Sequence, residues 1–526
     1  MRGGTMEGQP HPLTRRSFIT SLVLAAGAVA TWPAAVTLQA AGSSSTLRVA
    51  FEADITGGDP YRSLGIQAGY VHDNLYNTLV TIDERMNIVP DLAESWEVQD
   101  GGRVYLFRLH GGVRFHDGTP CDAEAVKWNL DHVMDPESKA QQARFFDLVE
   151  GVEVVDAQTL KVSLKYPSSV LLPSLAIHGS GGLRIISPAA YQRWGKDFSL
   201  HPVGTGPFRL GAWEQNRVIV LDRNPDYFKP GLPRLERVEL QIMKDGVTRV
   251  AALRAGEVDF LNWVPREQAK RLEQEAKIQV WRGPETTGVF IVPTLTRKPW
   301  DDLRVRRAVL GYGLDREAMA KAALLGYGRP LVSLVSHGLR GHVALLEMYP
   351  YQPEKAKALL KEAGFDEQHP LRYGLITHAA DPVLPTVATI MKTQLEKIGV
   401  QVTVEVLDRP IFLKRHLSYD RDQTLVIAYP RPDLYSFAYV LEVGSLNVPN
   451  HRDMHVNALF DQMRRALSLE EQDRISAELQ RYMADQMLIS GLMAITFLQA
   501  GRDYVKDFTY LGGLRVAFET TQLRKA

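Results

Sequence analysis

The chain predicts an α/β protein built on open sheets, and three observations carry that reading. After residue 235 strands and helices alternate. The helices end on glycine and hand the chain directly to short β-branched runs. No low-complexity linker interrupts the 526 residues,. An earlier stretch, 85–199, has a different rhythm of short strands and turns and reads as a β-rich insertion,.

Taken in order, the first segment is a leader. Thr14-Arg15-Arg16-Ser17-Phe18 precedes an apolar run of 12 positions, 19–30, several of them Ala or Gly. A membrane-crossing helix needs about 20 apolar residues, so this run is a signal. An ordinary secretory n-region is also basic, but consecutive arginines followed by Ser-Phe favour the twin-arginine export route. Small residues at Ala28-Val29-Ala30 and Gln39-Ala40-Ala41 both suit cleavage, and a mature chain beginning near Gly42 is expected. The sole cysteine, Cys121, lies far from the leader, which excludes an intramolecular disulfide and a lipid anchor at the cleavage site,.

Next, Leu47, Val49 and Phe51 alternate with polar or small residues as a strand with one buried face, and 54–60 reads as a loop,. Within the insertion, 104–109 and 113–115 flank His110-Gly111-Gly112, a hairpin signal. Asp122 can cap a helix over 123–133, and 152–155 with 160–164 flank Asp156-Ala157-Gln158 as a second hairpin,. Beyond 235, strands are expected at 238–243, 258–261, 371–376, 400–407 and 425–428. Helices are expected at 247–255, 354–363 and 386–398, stopped by Gly256, Gly364 and Gly399,. In such sheets ligands bind beyond the carboxyl ends of the strands, often between two lobes.

Composition narrows the function. The 61 basic and 61 acidic side chains cancel, which disfavours bulk binding to nucleic acid or anionic membrane,. Trp96, Phe107 and Phe115 sit at alternating positions and read as core packing. His116-Asp117-Gly118 reads as a turn rather than a catalytic group. Pro207 directly after Gly204-Thr205-Gly206 breaks a dinucleotide loop, and Gly179-Ser180-Gly181 lacks the spacing of a nucleophile elbow,. His451 and His455 have helical metal-ligand spacing, but Pro449 and Asn450 leave one turn at most, so no metal site and no cofactor are expected,.

The most specific signal is an ordered set of short motifs. Pro90-Asp91-Leu92-Ala93-Glu94-Ser95-Trp96-Glu97, Tyr105-Leu106-Phe107-Arg108-Leu109 and Gly112-Val113-Arg114-Phe115-His116-Asp117-Gly118 come first. Gly204-Thr205-Gly206-Pro207-Phe208, Arg223-Asn224-Pro225-Asp226-Tyr227, Gly256-Glu257-Val258-Asp259-Phe260, Arg304-Val305-Arg306-Arg307-Ala308 and the run 355–364 follow. Together they resemble the family 5 extracellular solute-binding proteins, the dipeptide, oligopeptide and nickel receptors of ABC importers.

That resemblance implies a periplasmic binding protein type II-like architecture, two α/β lobes joined by a hinge, with an additional β-rich subdomain on the first lobe. Its expected partition is 1–42 signal peptide, 46–84 with 200–285 and 491–526 as lobe I, 85–199 as the subdomain, and 286–490 as lobe II. It implies a monomeric, freely soluble periplasmic receptor, not an enzyme, that closes on a di- or oligopeptide or similar small-molecule ligand. The receptor then delivers this ligand to the permease subunits of an ABC importer. In peptide-binding relatives a second-lobe carboxylate in an aromatic, Pro-rich turn holds the ligand's amino group, and Asp433 within Tyr429-Pro430-Arg431-Pro432-Asp433 is the matching acid. Arg431 departs from the acidic or small residue of that pattern and is instead suited to gripping a carboxylate or phosphate, which keeps an opine, sugar acid or metal chelate open as ligand. Tyr429, Asn262, Trp263, Asn450 and His451 complete the candidate set. A cofactor-bearing periplasmic enzyme, which twin-arginine export would permit, is the reading from another class, and the absence of a catalytic constellation weighs against it.

Overall fold

The computed structural model describes residues 45–63, 65–83, 87–176, 182–379, 381–428, 434–511 and 515–524. The leader, Gly179-Ser180-Gly181 and the candidates Tyr429, Arg431 and Asp433 lie outside them.

Three main sheets organise the chain. The first has seven strands in the order Ile278–Arg282, Leu498–Arg502, Phe260–Leu261, Thr46–Phe51, Arg237–Ile242, Val218–Arg223 and Phe208–Glu214. Its centre is parallel, with Thr46–Phe51 lying between Arg237–Ile242 and Phe260–Leu261. The second has six strands: Gly328–Pro330, Ser490–Ile495, Thr287–Pro293, Gln423–Ala428, Arg372–His378 and Gln401–Leu407. Every residue of Thr287–Pro293 is buried, as a central strand covered on both faces requires,. The third, four-stranded and antiparallel, runs Ala93–Gln99, Val104–Leu109, Thr159–Leu164, Val149–Asp156.

Local signals in the sequence account for most element ends. Asp122 accepts a bond from the Ala125 amide at 3.1 Å and starts the helix Ala123–Met134,. Asp245 does the same for Gly246–Ala255, which stops where Gly256 takes the left-handed conformation (φ 78°) that side chains resist,. The helices Pro353–Glu362 and Val383–Glu396 and the strands Arg372–His378 and Gln401–Leu407 stand where the α/β rhythm places them. Phe107 and Phe115 are buried, and Trp96 is partly buried against the same core.

Two expectations fail for reasons of pairing. The strand Val104–Leu109 forms no hairpin with 113–115; its neighbours are Ala93–Gln99 and Thr159–Leu164. His110-Gly111-Gly112 turns the chain toward Cys121, whose amide bonds to the Val113 carbonyl at 2.9 Å. The second hairpin does form, Val149–Asp156 against Thr159–Leu164. At the other end, Ser490–Ile495 pairs with Thr287–Pro293, so the passage back to the first sheet falls at residues 496–497 rather than between 490 and 491.

The chain therefore crosses between the first and second sheets twice, at 283–286 and at 496–497. The two crossings are tied to each other, the Gly283 amide donating to the Phe497 carbonyl at 2.9 Å. Two short, adjacent strands of chain are what a hinge needs. Away from them, the β-rich subdomain touches the second lobe directly. The Ser169 amide donates to the Ala466 carbonyl (2.9 Å) and Ser168 Oγ to the Arg464 carbonyl (2.5 Å). Arg465 lies 4.8 Å over the Tyr166 ring and Arg144 lies 4.3 Å over the Tyr439 ring.

Candidate functional site: a polar cleft beyond the strand ends

The parallel strands of the first sheet deliver Glu52, directly after Thr46–Phe51, and Asn262-Trp263, directly after Phe260–Leu261, to one edge. Glu52 accepts from Gln67 Nε2 at 2.8 Å and from Asn262 Nδ2 at 2.5 Å. These bonds orient the Asn262 amide, yet its Oδ1 is buried with no partner. The Trp263 ring is half-buried and meets Phe497 edge-on, with centroids 5.3 Å apart, which sets a flat apolar wall beside a hinge crossing,. Pro265 then turns the chain into the helix Arg266–Leu272.

The second sheet delivers its own groups beyond parallel strands. Asp381 follows Arg372–His378 and begins the helix Val383–Glu396, its Oδ1 accepting from the Val383 amide at 2.9 Å. Its Oδ2 is buried and unpartnered. Arg266 and Asp381 face each other electrostatically: burial pushes Arg266 down from its ordinary value, and the Asp381 charge opposes that fall. Neither residue was singled out from the sequence. Asking which charges stand within a few residues of a parallel strand's carboxyl end would have found both.

Trp263 and Asn262 thus occupy the expected edge, and Tyr429, Arg431 and Asp433 follow the strand Gln423–Ala428 outside the described residues. Asn450 and His451 do not join them. Asn450 Nδ2 donates to Thr296 Oγ1 at 2.7 Å, just past the end of Thr287–Pro293. That strand runs antiparallel to Gln423–Ala428, pairing Pro293 with Gln423, so Thr296 stands where the parallel strands begin, opposite the cleft. His451 is buried in the same loop. One ring nitrogen bonds the Leu441 carbonyl at 2.6 Å and the other accepts from the Asp453 amide at 3.1 Å. A ring spent on backbone at both nitrogens shapes the loop and has no atom left for a ligand. Sequence spacing could not reveal this, because antiparallel insertion of Thr287–Pro293 decides which end each loop reaches.

The remaining chemistry-bearing motifs are structural. His116 binds the Gly206 carbonyl at 3.1 Å and accepts from the Gly204 amide at 3.3 Å, and Asp117 accepts from Ser187 Oγ at 2.7 Å. A side chain at Gly204 would collide with the Leu75 carbonyl, so that glycine serves close packing,. Cys121 is buried, and burial pushes its thiol up, away from reactivity,. Among the described residues no group of three His, Cys, Asp or Glu is placed to hold a metal, and no helix is long and apolar enough to cross a membrane.

Two α/β lobes joined by paired crossings, with polar groups gathered where the strands of both sheets end, define a clefted binding protein. The match to bacterial extracellular solute-binding proteins, family 5, over residues 87–441 makes the assignment specific, and the chain belongs to that family. It is 34% identical over 364 residues to the glutathione-binding protein GsiB of Pectobacterium atrosepticum, covering 68% of this chain and 69% of that protein. The structure of AgaA in complex with agropinic acid superposes with a TM-score of 0.77 at 25% identity, over 91% of this chain and 99% of the other. NikA from Brucella suis superposes with a TM-score of 0.82 at 21% identity, over 91% and 100%, a likeness of fold alone. The protein is a substrate-binding component of an ABC importer rather than an enzyme.

Proposed function

We propose that this receptor is carried to the periplasm by its twin-arginine leader, remains there as a free monomer, and captures a peptide-type solute bearing a free amino group. The observation that carries the reading is the 34% identity with a glutathione-binding protein across two thirds of both chains. Closure of the lobes encloses a ligand held at Asn262 and Trp263 of the first lobe. A ligand touching both lobes gains contacts that only the closed state offers, and so shifts the equilibrium by its differential affinity. Asp433 is assigned the ligand ammonium, Tyr429 and Trp263 its apolar walls, and Arg431 a carboxylate.

A second reading, an anionic solute such as an opine, draws on Arg431 and on the 25% likeness to an agropinic acid complex,. A thermal-shift panel of glutathione, Ala-Ala, agropinic acid and nickel with histidine separates the two. Stabilisation by the peptides supports the first reading, and stabilisation by agropinic acid alone replaces it with the second. Export is tested by changing Arg15 and Arg16 together to Lys: cytoplasmic retention of precursor is expected, and unchanged export refutes the twin-arginine assignment.

A further inference from the structure

Six arginines are buried among the described residues: Arg184, Arg249, Arg266, Arg306, Arg316 and Arg421. Five hydrogen-bond their guanidinium groups within the fold, although Arg249 keeps its Nε buried and unpartnered. Arg184 pairs with Asp73 at 2.7 Å, Arg249 binds the Met243 and Lys244 carbonyls, and Arg306 binds those of Trp300 and Gln486. Arg316 binds the Gly311 and Gly491 carbonyls, and Arg421 those of His416 and Val448. Arg266, 8% exposed, makes no hydrogen bond, and its Nε is among the buried atoms without a partner. A buried cation left unbonded costs stability, and this one also stands at the first position of a helix, where the dipole disfavours positive charge. The nearby Asp381 and Glu267 charges offset part of that cost, but no hydrogen bond does.

Across the cleft Asp381, 3% exposed, likewise keeps Oδ2 buried and unbonded. The Asp381 charge acts on Arg266, yet the two form no salt bridge, and each keeps a buried polar atom unbonded. We propose that Arg266 and Asp381 form a two-lobed seat for a zwitterionic head group: the ligand carboxylate binds the Arg266 guanidinium, and its ammonium binds Asp381 Oδ2. A simple anion would meet repulsion from Asp381, and a simple cation from Arg266. A solute carrying both charges close together, as the α-amino-acid end of a γ-glutamyl peptide does, satisfies both at once. An ammonium has three protons, so binding Asp381 Oδ2 leaves it two further hydrogen bonds to give. The seat rests on the peptide-type reading and narrows it to ligands with paired charges.

The test uses Arg266→Met and Asp381→Asn with glutathione, N-acetylglutathione and glutathione diethyl ester in calorimetry, and thermal melts of the ligand-free proteins. Arg266→Met is expected to weaken glutathione by about 30-fold or more, as truncating one partner of a buried charge pair does. It should leave the weaker binding of the diethyl ester unchanged and raise the ligand-free melting temperature, because an unbonded buried charge is gone. Asp381→Asn should weaken glutathione but not N-acetylglutathione. Wild-type affinity for glutathione that survives Arg266→Met, or a melting temperature that falls in that variant, overturns the seat while leaving the peptide reading intact. Absence of glutathione binding by the wild type overturns the seat as well, and Ala-Ala binding then decides whether the broader reading stands.

Discussion

The contact between the β-rich subdomain and the second lobe offers a direct test of closure, because it holds the lobes together away from both hinge crossings. Three substitutions remove its side-chain part: Ser168→Ala, Arg144→Ala and Arg465→Ala. The first deletes a hydrogen bond of 2.5 Å, worth about 1 kcal/mol net,. The others delete cations at 4.3 and 4.8 Å from the Tyr439 and Tyr166 rings, each worth about 0.5–1 kcal/mol near the surface,. Their sum, about 2–3 kcal/mol, stabilises only a state in which the subdomain and second lobe meet. Removing it should lower affinity for a closing ligand roughly 30- to 150-fold at 1.4 kcal/mol per tenfold. None of the three belongs to the cleft edge, so the loss would come from the equilibrium and not from ligand contacts. Calorimetry with glutathione gives the affinity, and small-angle scattering of the free triple variant should give a larger radius of gyration. Unchanged affinity together with an unchanged radius would refute the argument that this contact is part of closure.

Other consequences follow from single groups. Asp433→Asn should weaken glutathione by about 2–5 kcal/mol in calorimetry if the acid is desolvated against the ammonium, and unchanged affinity removes it from the site. Asp73→Asn removes the carboxylate that pairs with the buried Arg184 guanidinium at 2.7 Å, and a loss of about 3–5 kcal/mol is expected in denaturant unfolding,. Burial pushes the His116 and His416 imidazoles down, to about 4 and about 3 from 6.5. The fold holds both neutral while the unfolded chain protonates near 6.5, so their contribution is whole above that pH and is lost as pH falls through about 4. Denaturant midpoints should drop between pH 7 and pH 4, and replacing both histidines with Gln should flatten the drop; an equally steep drop in that variant would exclude these rings as its source.

Family membership, the α/β alternation and most helix ends were legible in the chain, because caps such as Asp122 and Asp245 and stops such as Gly256 act through bonds a few residues long. That same locality explains the errors. A glycine pair after Leu109 signals a turn, but not which strand the chain meets next, and Val104–Leu109 found partners about 10 and 55 residues away. The site divides in the same way. Asn262 and Trp263 could be placed because they directly follow a strand, whereas Asn450 and His451 were drawn to the wrong end of a sheet whose strand directions no short segment encodes.

The sequence by itself determined that this chain is a solute-binding protein with two α/β lobes and a β-rich addition, since its ordered motifs and α/β alternation are properties of the linear chain. Only the tertiary structure decided which polar groups are left waiting in the cleft. An arginine in Pro265-Arg266-Glu267 reads as an ordinary helix-start residue. Burial opposite Asp381, with every other buried arginine already bonded, is what gives it a role, because hydrogen-bond satisfaction is settled by neighbours that the chain brings together from more than a hundred residues away.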